Sequence, residues 1–188
     1  MQFSSSQETA VCTLSSVSLP KFVRERTTFD FDALHKTVKL AVRNTDRLLD
    51  LGVYPSGESA CSVNNTRATG VGVQGLADVF MALRIPYGSQ QAKDLNIKVF
   101  ETVYHASLDA SCALAETHGT YWAGSPASLG TLYVDMWPSV APHLYDFQPL
   151  RERIAQHGLL NALLTAQIPT ASTSYLMGNT PGVEPYAR

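Results

Sequence analysis

The 188 residues suit one domain or a large part of one, and 45% hydrophobic with 16% charged residues is a globular balance rather than a disordered one. A net charge of −2 gives no electrostatic basis for binding nucleic acid or a membrane surface, and no apolar run is long enough to span a bilayer. The opening MQFSSSQETAVC has no basic stretch leading into an apolar one, which excludes a secretory signal; three cysteines without CxxC or zinc-type spacing fit a reducing compartment, so a cytoplasmic protein is expected.

In chain order, residues 10–19 predict a strand of small residues that Pro20 ends. Phe31, Leu34, Val38, Ala41, Thr45 and Leu48 recur at three- and four-residue steps, predicting a helix over 31–51 capped by Asp30 or Thr28 and stopped at Gly52. YPSGESACSVNNTR is expected to be a polar loop. ATGVGVQG, residues 68–75, predicts a short buried strand whose glycines permit close backbone approach. LADVFMALRI predicts a short helix closed by Pro86. Ser89 caps a long helix to His118, roughly 45 Å at ~1.5 Å per residue, and its alanines imply a close-packed neighbour. Residues 120–145 are expected to form a surface excursion. A helix over 149–157 ends at Gly158, and LLNALLTAQ leads as a strand to Ile168. The tail MGNTPGVEPYAR is expected to be loop-like.

Strands that alternate with helices predict parallel α/β architecture. Only three or four strands are countable, so the chain is expected to be part of a larger barrel or sheet.

The hydroxyl run IPTASTSY follows the last predicted strand, and two readings stand beside each other. One hydroxyl caps a helix and the rest are solvated. Alternatively, helix-start amides and the hydroxyls of Thr170, Ser172, Thr173 and Ser174 cradle a phosphate without supplying charge. Cys12 is either a small buried hydrophobe in its strand or a redox thiol. Cys112 is expected in the core, and Cys61 in an exposed loop. His35, His105, His118, His143 and His157 are scattered without ligand spacing, so no metal site is expected. GVGVQG does not fit the dinucleotide pattern, and Gly70, Gly72 and Gly75 are taken as packing glycines. Glu8 and Glu184 have no visible acid/base partner.

AVCTLSSVSL, GVGVQGLADVFMALRIPY, NIKVFETVYHASLDASCALAETHGTY, GSPASLGTLYVDMW and NALLTAQIPTASTSYLMGNTPGVEPY together resemble the catalytic large subunit of class I (aerobic) ribonucleotide reductase, from about Val11 to Tyr186. The resemblance implies half of a ten-stranded α/β barrel, the C-terminal half, formed by residues 1–188, with long helices outside parallel strands. It implies reduction of ribonucleoside diphosphates to deoxyribonucleotides for DNA synthesis. A thiyl radical on a finger loop abstracts the ribose 3′ hydrogen, and two further cysteines become a disulfide. Cys12 matches one member of that pair. Pro169, Thr170, Ala171, Ser172 and Thr173 match the substrate-phosphate loop. Glu184 to Tyr186 match a segment leading to the last barrel strand, and Tyr186 is not one of the family's radical-relay tyrosines.

The implied partners are a ribonucleoside diphosphate, a small subunit with a dinuclear metal centre and tyrosyl radical, the remaining part of the large subunit, and thioredoxin or glutaredoxin. No cofactor is expected in this chain; the ATP and dNTP effectors of the family bind regions outside it. The family's Asn-x-Cys-x-Glu stretch has no counterpart before Cys12, and Glu8 lies too near Cys12 to match its glutamate. The chain is therefore expected to be a fragment, inactive and marginally stable alone. A second expectation is a non-catalytic truncated paralogue or split-subunit partner that binds other reductase subunits.

Overall fold

A computed structural model describes residues 4–120, 130–136 and 144–186. Its frame is a parallel pair, β1 (Thr13–Ser18) and β4 (Thr69–Gln74), in register from Thr13 opposite Thr69 to Ser18 opposite Gln74. A third line runs parallel along the other edge of β4. It is joined by one bridge, Val71 to Thr165, and by amides of Thr69 and Val71 donating to the carbonyls of Leu163 and Leu164 at 3.0 and 2.9 Å. The expected strand ending at Ile168 therefore exists as an extended edge with little ladder. Two short strands, β2 (Val23–Arg24) and β3 (Thr28–Phe29), pair antiparallel after a 3-10 turn at Leu19–Phe22. No closed barrel forms among the described residues.

Helix α1 (Phe31–Leu51) starts where Asp30 accepts from the Ala33 amide at 2.9 Å, so Asp30, not Thr28, is the cap. Its buried stripe of Leu34, Val38, Val42 and Leu49 lies over the sheet and against α4 (Gln90–His118). Ser89 caps α4 through the Ala92 amide, and Gly119 closes it with φ of +80°. Ala106, Ala110 and Ala115 are buried on α4, the small side chains that let two long helices approach.

The expected polar loop at 54–67 contains helix α2 (Gly57–Thr66), a correction. Its buried face is Ser59, Ser62 and Val63, too polar to register as an apolar stripe, and Ser56 caps it by accepting from the Ser59 amide at 3.2 Å. Helix α3 (Leu76–Ala82) begins as expected but ends before the expected Ile85, and α5 (Gln148–His157) begins one residue before the expected start. Of the expected excursion, residues 121–129 and 137–143 lie outside the described residues, and Tyr133–Met136 forms a 3-10 turn. The short α6 (Ala171–Met177) ends at Gly178 with φ of +66°.

The pleat gives the sheet two unlike faces. Ser15, Val17, Val71 and Val73 alternate toward the helical cover, where Val71 and Val73 are buried in the main core. Leu14, Ser16 and Ser18 point the other way, opposite Gly70, Gly72 and Gln74. A Cβ on Gly72 would lie 2.4 Å from the Ala166 carbonyl oxygen, so this residue lets the third line close on β4.

Candidate functional site

The carboxyl ends of the three parallel lines converge on Ser18, Gln74 and Thr170, all buried. Ligands in open parallel sheets bind at that end. The hydroxyl run sits there. Thr170 occupies the cap position of α6 without capping it; its Oγ1 instead accepts from the Gly182 amide at 2.8 Å. Thr173 donates its hydroxyl to Gln74 Oε1 at 3.1 Å, with the Thr170 carbonyl also in reach at 3.2 Å. Ser174 is buried and donates to the Ala171 carbonyl at 2.9 Å. Pro169, Ala171, Ser172 and Thr173 are exposed. Neither Lys nor Arg occurs between residues 154 and 187, so the loop itself offers an anion neutral donors only.

The segment after α6 straps this loop to the sheet. Asn179 Nδ2 donates to Ser18 Oγ at 2.7 Å, and the Gly75 amide donates to the Thr180 carbonyl at 2.9 Å. Asp78, in the first turn of α3, accepts from the Thr180 amide and hydroxyl, both at 2.7 Å, and from Tyr186 Oη at 2.5 Å. Burial alone would raise the Asp78 pKa, but these donors outweigh it and hold the carboxyl below its ordinary range. The same bond raises the Tyr186 phenol.

Cys12 lies at the other end. It is exposed and stands one residue before β1, which corrects both its expected place inside the strand and its reading as a buried hydrophobe. Six strand steps separate it from Ser18, on the order of 20 Å. The structure thus brings together Thr170, Thr173 and Gln74 but not Cys12. Continued alternation nevertheless puts Cys12 in phase with Ser16 and Ser18, on the face that carries Gln74. Cys112 is buried in the core, as expected, and burial pushes its thiol up; Cys61 is half-buried on α2 beside Glu8 and Asn65.

Two clusters escaped sequence reasoning because their members are far apart in the chain. His35 on α1 and His105 on α4 share a hydrogen bond, Nε2 to Nδ1, at 2.9 Å, and His105 stacks on Tyr145 with centroids 4.5 Å apart. Burial, then the neighbouring His35, pushes His105 down to about 4, and burial also lowers His35. Below them Asp109 is clamped by Lys39 at 2.5 Å and Arg153 at 2.7 Å. Burial opposes the Asp109 charge, but the two cations outweigh it and hold the carboxyl low.

The second cluster closes the amino ends of the strands. Arg67 takes a left-handed φ of +41° after α2 and donates to Asp46 Oδ1 at 2.9 Å and Asp50 Oδ1 at 2.7 Å. Asn161 donates to Asp46 and to the Arg67 carbonyl, and accepts from Ser111. Both are buried and satisfied, a structural knot rather than a ligand site.

Among the described residues no group of three or more His, Cys, Asp or Glu is placed to hold a metal ion, and no helix is long and apolar enough to cross a membrane. A cavity of about 670 Å³ lies along α4, lined by Ile97, Phe100, Tyr104, Val134 and Thr165; it is apolar and does not include the hydroxyl loop.

The family described as ribonucleotide reductase, barrel domain, matches residues 1–188. The chain is 48% identical over 188 residues to the ribonucleoside-diphosphate reductase large chain of Schizosaccharomyces pombe, covering 99% of this chain and 23% of that protein. It is 44% identical to the large subunit of Caenorhabditis elegans and 46% to that of vaccinia virus (strain Copenhagen), each over 99% of this chain and 24% of the relative. The chain spans about a quarter of the length of these relatives. By family match and by identity over almost all its residues, the chain belongs to the ribonucleotide reductase barrel-domain family.

Proposed function

We propose that the chain forms part of a ten-stranded catalytic barrel that reduces ribonucleoside diphosphates, and that it works with the rest of a large subunit. Pro169, Thr170, Ala171, Ser172 and Thr173 hold the substrate diphosphate, and Cys12 is one of the two reducing thiols. The observation that carries this reading is the shared face of the sheet. Gln74 with Thr173 lies on the side lined by Ser16, Ser18, Gly70 and Gly72, away from the aliphatic core, and the alternation of β1 extended by one residue brings Cys12 to the same side.

A substrate lying along the strands would keep its diphosphate at the hydroxyl loop and direct its ribose toward the Cys12 end. Reduction removes the 2′-hydroxyl as water while two thiols become one disulfide, which balances two electrons and two protons. The second thiol comes from the remaining part of the large subunit. The radical starts on a small subunit that carries the dinuclear metal, and thioredoxin or glutaredoxin restores the thiols. Neutral donors suit a diphosphate that must also leave as product, since an arginine clamp would hold both states more tightly.

Calorimetric titration of the folded chain with ADP and with adenosine tests the loop. ADP is expected to bind and adenosine not to. Ser172→Ala and Thr173→Val should each weaken ADP about two- to tenfold, the worth of one net hydrogen bond. A folded chain that binds neither, or binds both alike, contradicts the diphosphate assignment.

A further inference from the structure

Gln74 is 2% exposed, yet only one of its polar atoms is occupied. Oε1 accepts from the Thr173 hydroxyl, the one hydrogen bond of this side chain among the described residues, and Nε2 makes none there. A primary amide offers two N–H donors, and Nε2 is not among the fully buried unpaired atoms, so its donors open to solvent beside the loop. Thr173 has the opposite shortage. Its hydroxyl holds one proton, and that proton is directed at Gln74 Oε1 or the Thr170 carbonyl. A phosphate oxygen only accepts, so Thr173 cannot donate to it while its proton stays on Gln74.

Half a turn of the Gln74 amide resolves both shortages. The rotation exchanges Oε1 and Nε2 at nearly fixed positions and leaves the backbone unmoved. Nε2 then donates to Thr173 Oγ1, and the hydroxyl proton is left to the Thr170 carbonyl at 3.2 Å or to a phosphate oxygen, the stronger acceptor. We propose that Gln74 is a positioning residue that sets the hydrogen-bond polarity of Thr173, switching it from donor within the protein to donor toward the terminal phosphate of a nucleoside diphosphate. The proposal rests on the diphosphate reading of residues 169–173. It does not draw on the dipole of α6, which at seven residues is short. Gly75, with φ of +79° and a Cβ position 2.7 Å from Pro20, fixes the chain directly after Gln74, so the amide rotates on a rigid base.

The test is titration of the full chain with inorganic pyrophosphate, read by calorimetry and by the ¹⁵N side-chain amide resonance of Gln74. In the unmodified chain that resonance should shift along with the Thr173 backbone amide. Gln74→Met keeps shape without hydrogen bonding and should weaken pyrophosphate about two- to tenfold. Gln74→Glu offers only acceptors and a negative charge at neutral pH. It should weaken binding more than tenfold and recover relative to the unmodified chain as pH falls through the carboxylate range, where a protonated carboxyl again donates. A packing defect would show no such titration. Thr173→Val should remove the effect of Gln74→Met when the two are combined. If the unmodified chain binds pyrophosphate but the Gln74 resonance stays fixed, or both Gln74 variants bind as tightly, Gln74 has no such role and the diphosphate reading survives. If the folded unmodified chain does not bind pyrophosphate, both fall.

Discussion

The two ends of the parallel strands use similar polar residues to opposite effect. At the amino end, Arg67, Asp46, Asn161 and Ser111 are buried and bonded to one another, and Asn161 ties the third line to both α1 and α4. At the carboxyl end, Gln74 is as deeply buried but its amide donors open to solvent, and the residues around it, Ser172 and Thr173, face solvent. A satisfied polar network fixes a fold; donors left to solvent beside a loop can serve a ligand. The difference puts stability at one end and, on the proposed reading, recognition at the other.

The strongest way to break that division is at the closed end. Arg67→Met leaves Asp46 buried without its cation and should cost about 3–5 kcal/mol, measured by urea unfolding. A loss below about 1 kcal/mol would mean that the knot is not what holds the strand starts. Next comes the seam between the strands. Gly72→Ala drives a methyl group into the Ala166 carbonyl and should cost roughly 1–3 kcal/mol, because backbone rather than a flexible side chain must yield. An unchanged melting temperature would show that the third line is not docked as described.

Acid sharpens the account at the helix joint. The His35–His105 pair faces Asp109, Lys39 and Asp32 and stacks under Tyr145. Its neutral form is favoured by the fold, so the unfolded chain binds more protons. The pair's stabilisation is present above the ordinary value of 6.5 and is lost as pH falls toward about 4. The loss is on the order of 1–2 kcal/mol after a discount for partial exposure, and His105→Phe should flatten the stability curve across that window. The smallest expected effect lies at the open end. Ser172→Ala should change stability by no more than about 0.5 kcal/mol while weakening ADP, which separates recognition from folding.

What the sequence disclosed follows from how each element is encoded. Helices α1 and α4 carry an apolar or alanine stripe and a capping side chain, Asp30 and Ser89, and both were legible to within a residue. Helix α2 was not, because Ser59 and Ser62 occupy its buried face. The extended edge at 163–166 read as a strand from its leucines, yet only Thr165 forms a bridge, since hydrogen bonding along a strand is set by neighbours distant in the chain. The hydroxyl run was visible as a candidate phosphate loop, but its partner Gln74, 99 positions earlier, was not. The His35–His105 and Asp46–Asn161 pairs, separated by 70 and 115 positions, leave no local pattern at all. Cys12 was recognisable only through the family resemblance; its exposure at the strand start needed the fold.

The measurement that bears most directly on the account is deoxynucleotide formation by this chain assembled with the remaining large-subunit sequence, a small subunit and a dithiol. The assembly with the unmodified chain should convert ADP to dADP, and Cys12→Ser, an exposed change with no expected effect on folding, should abolish product. Equal product from both assemblies would contradict the assignment of Cys12 and, with it, the view that both ends of this face serve one substrate.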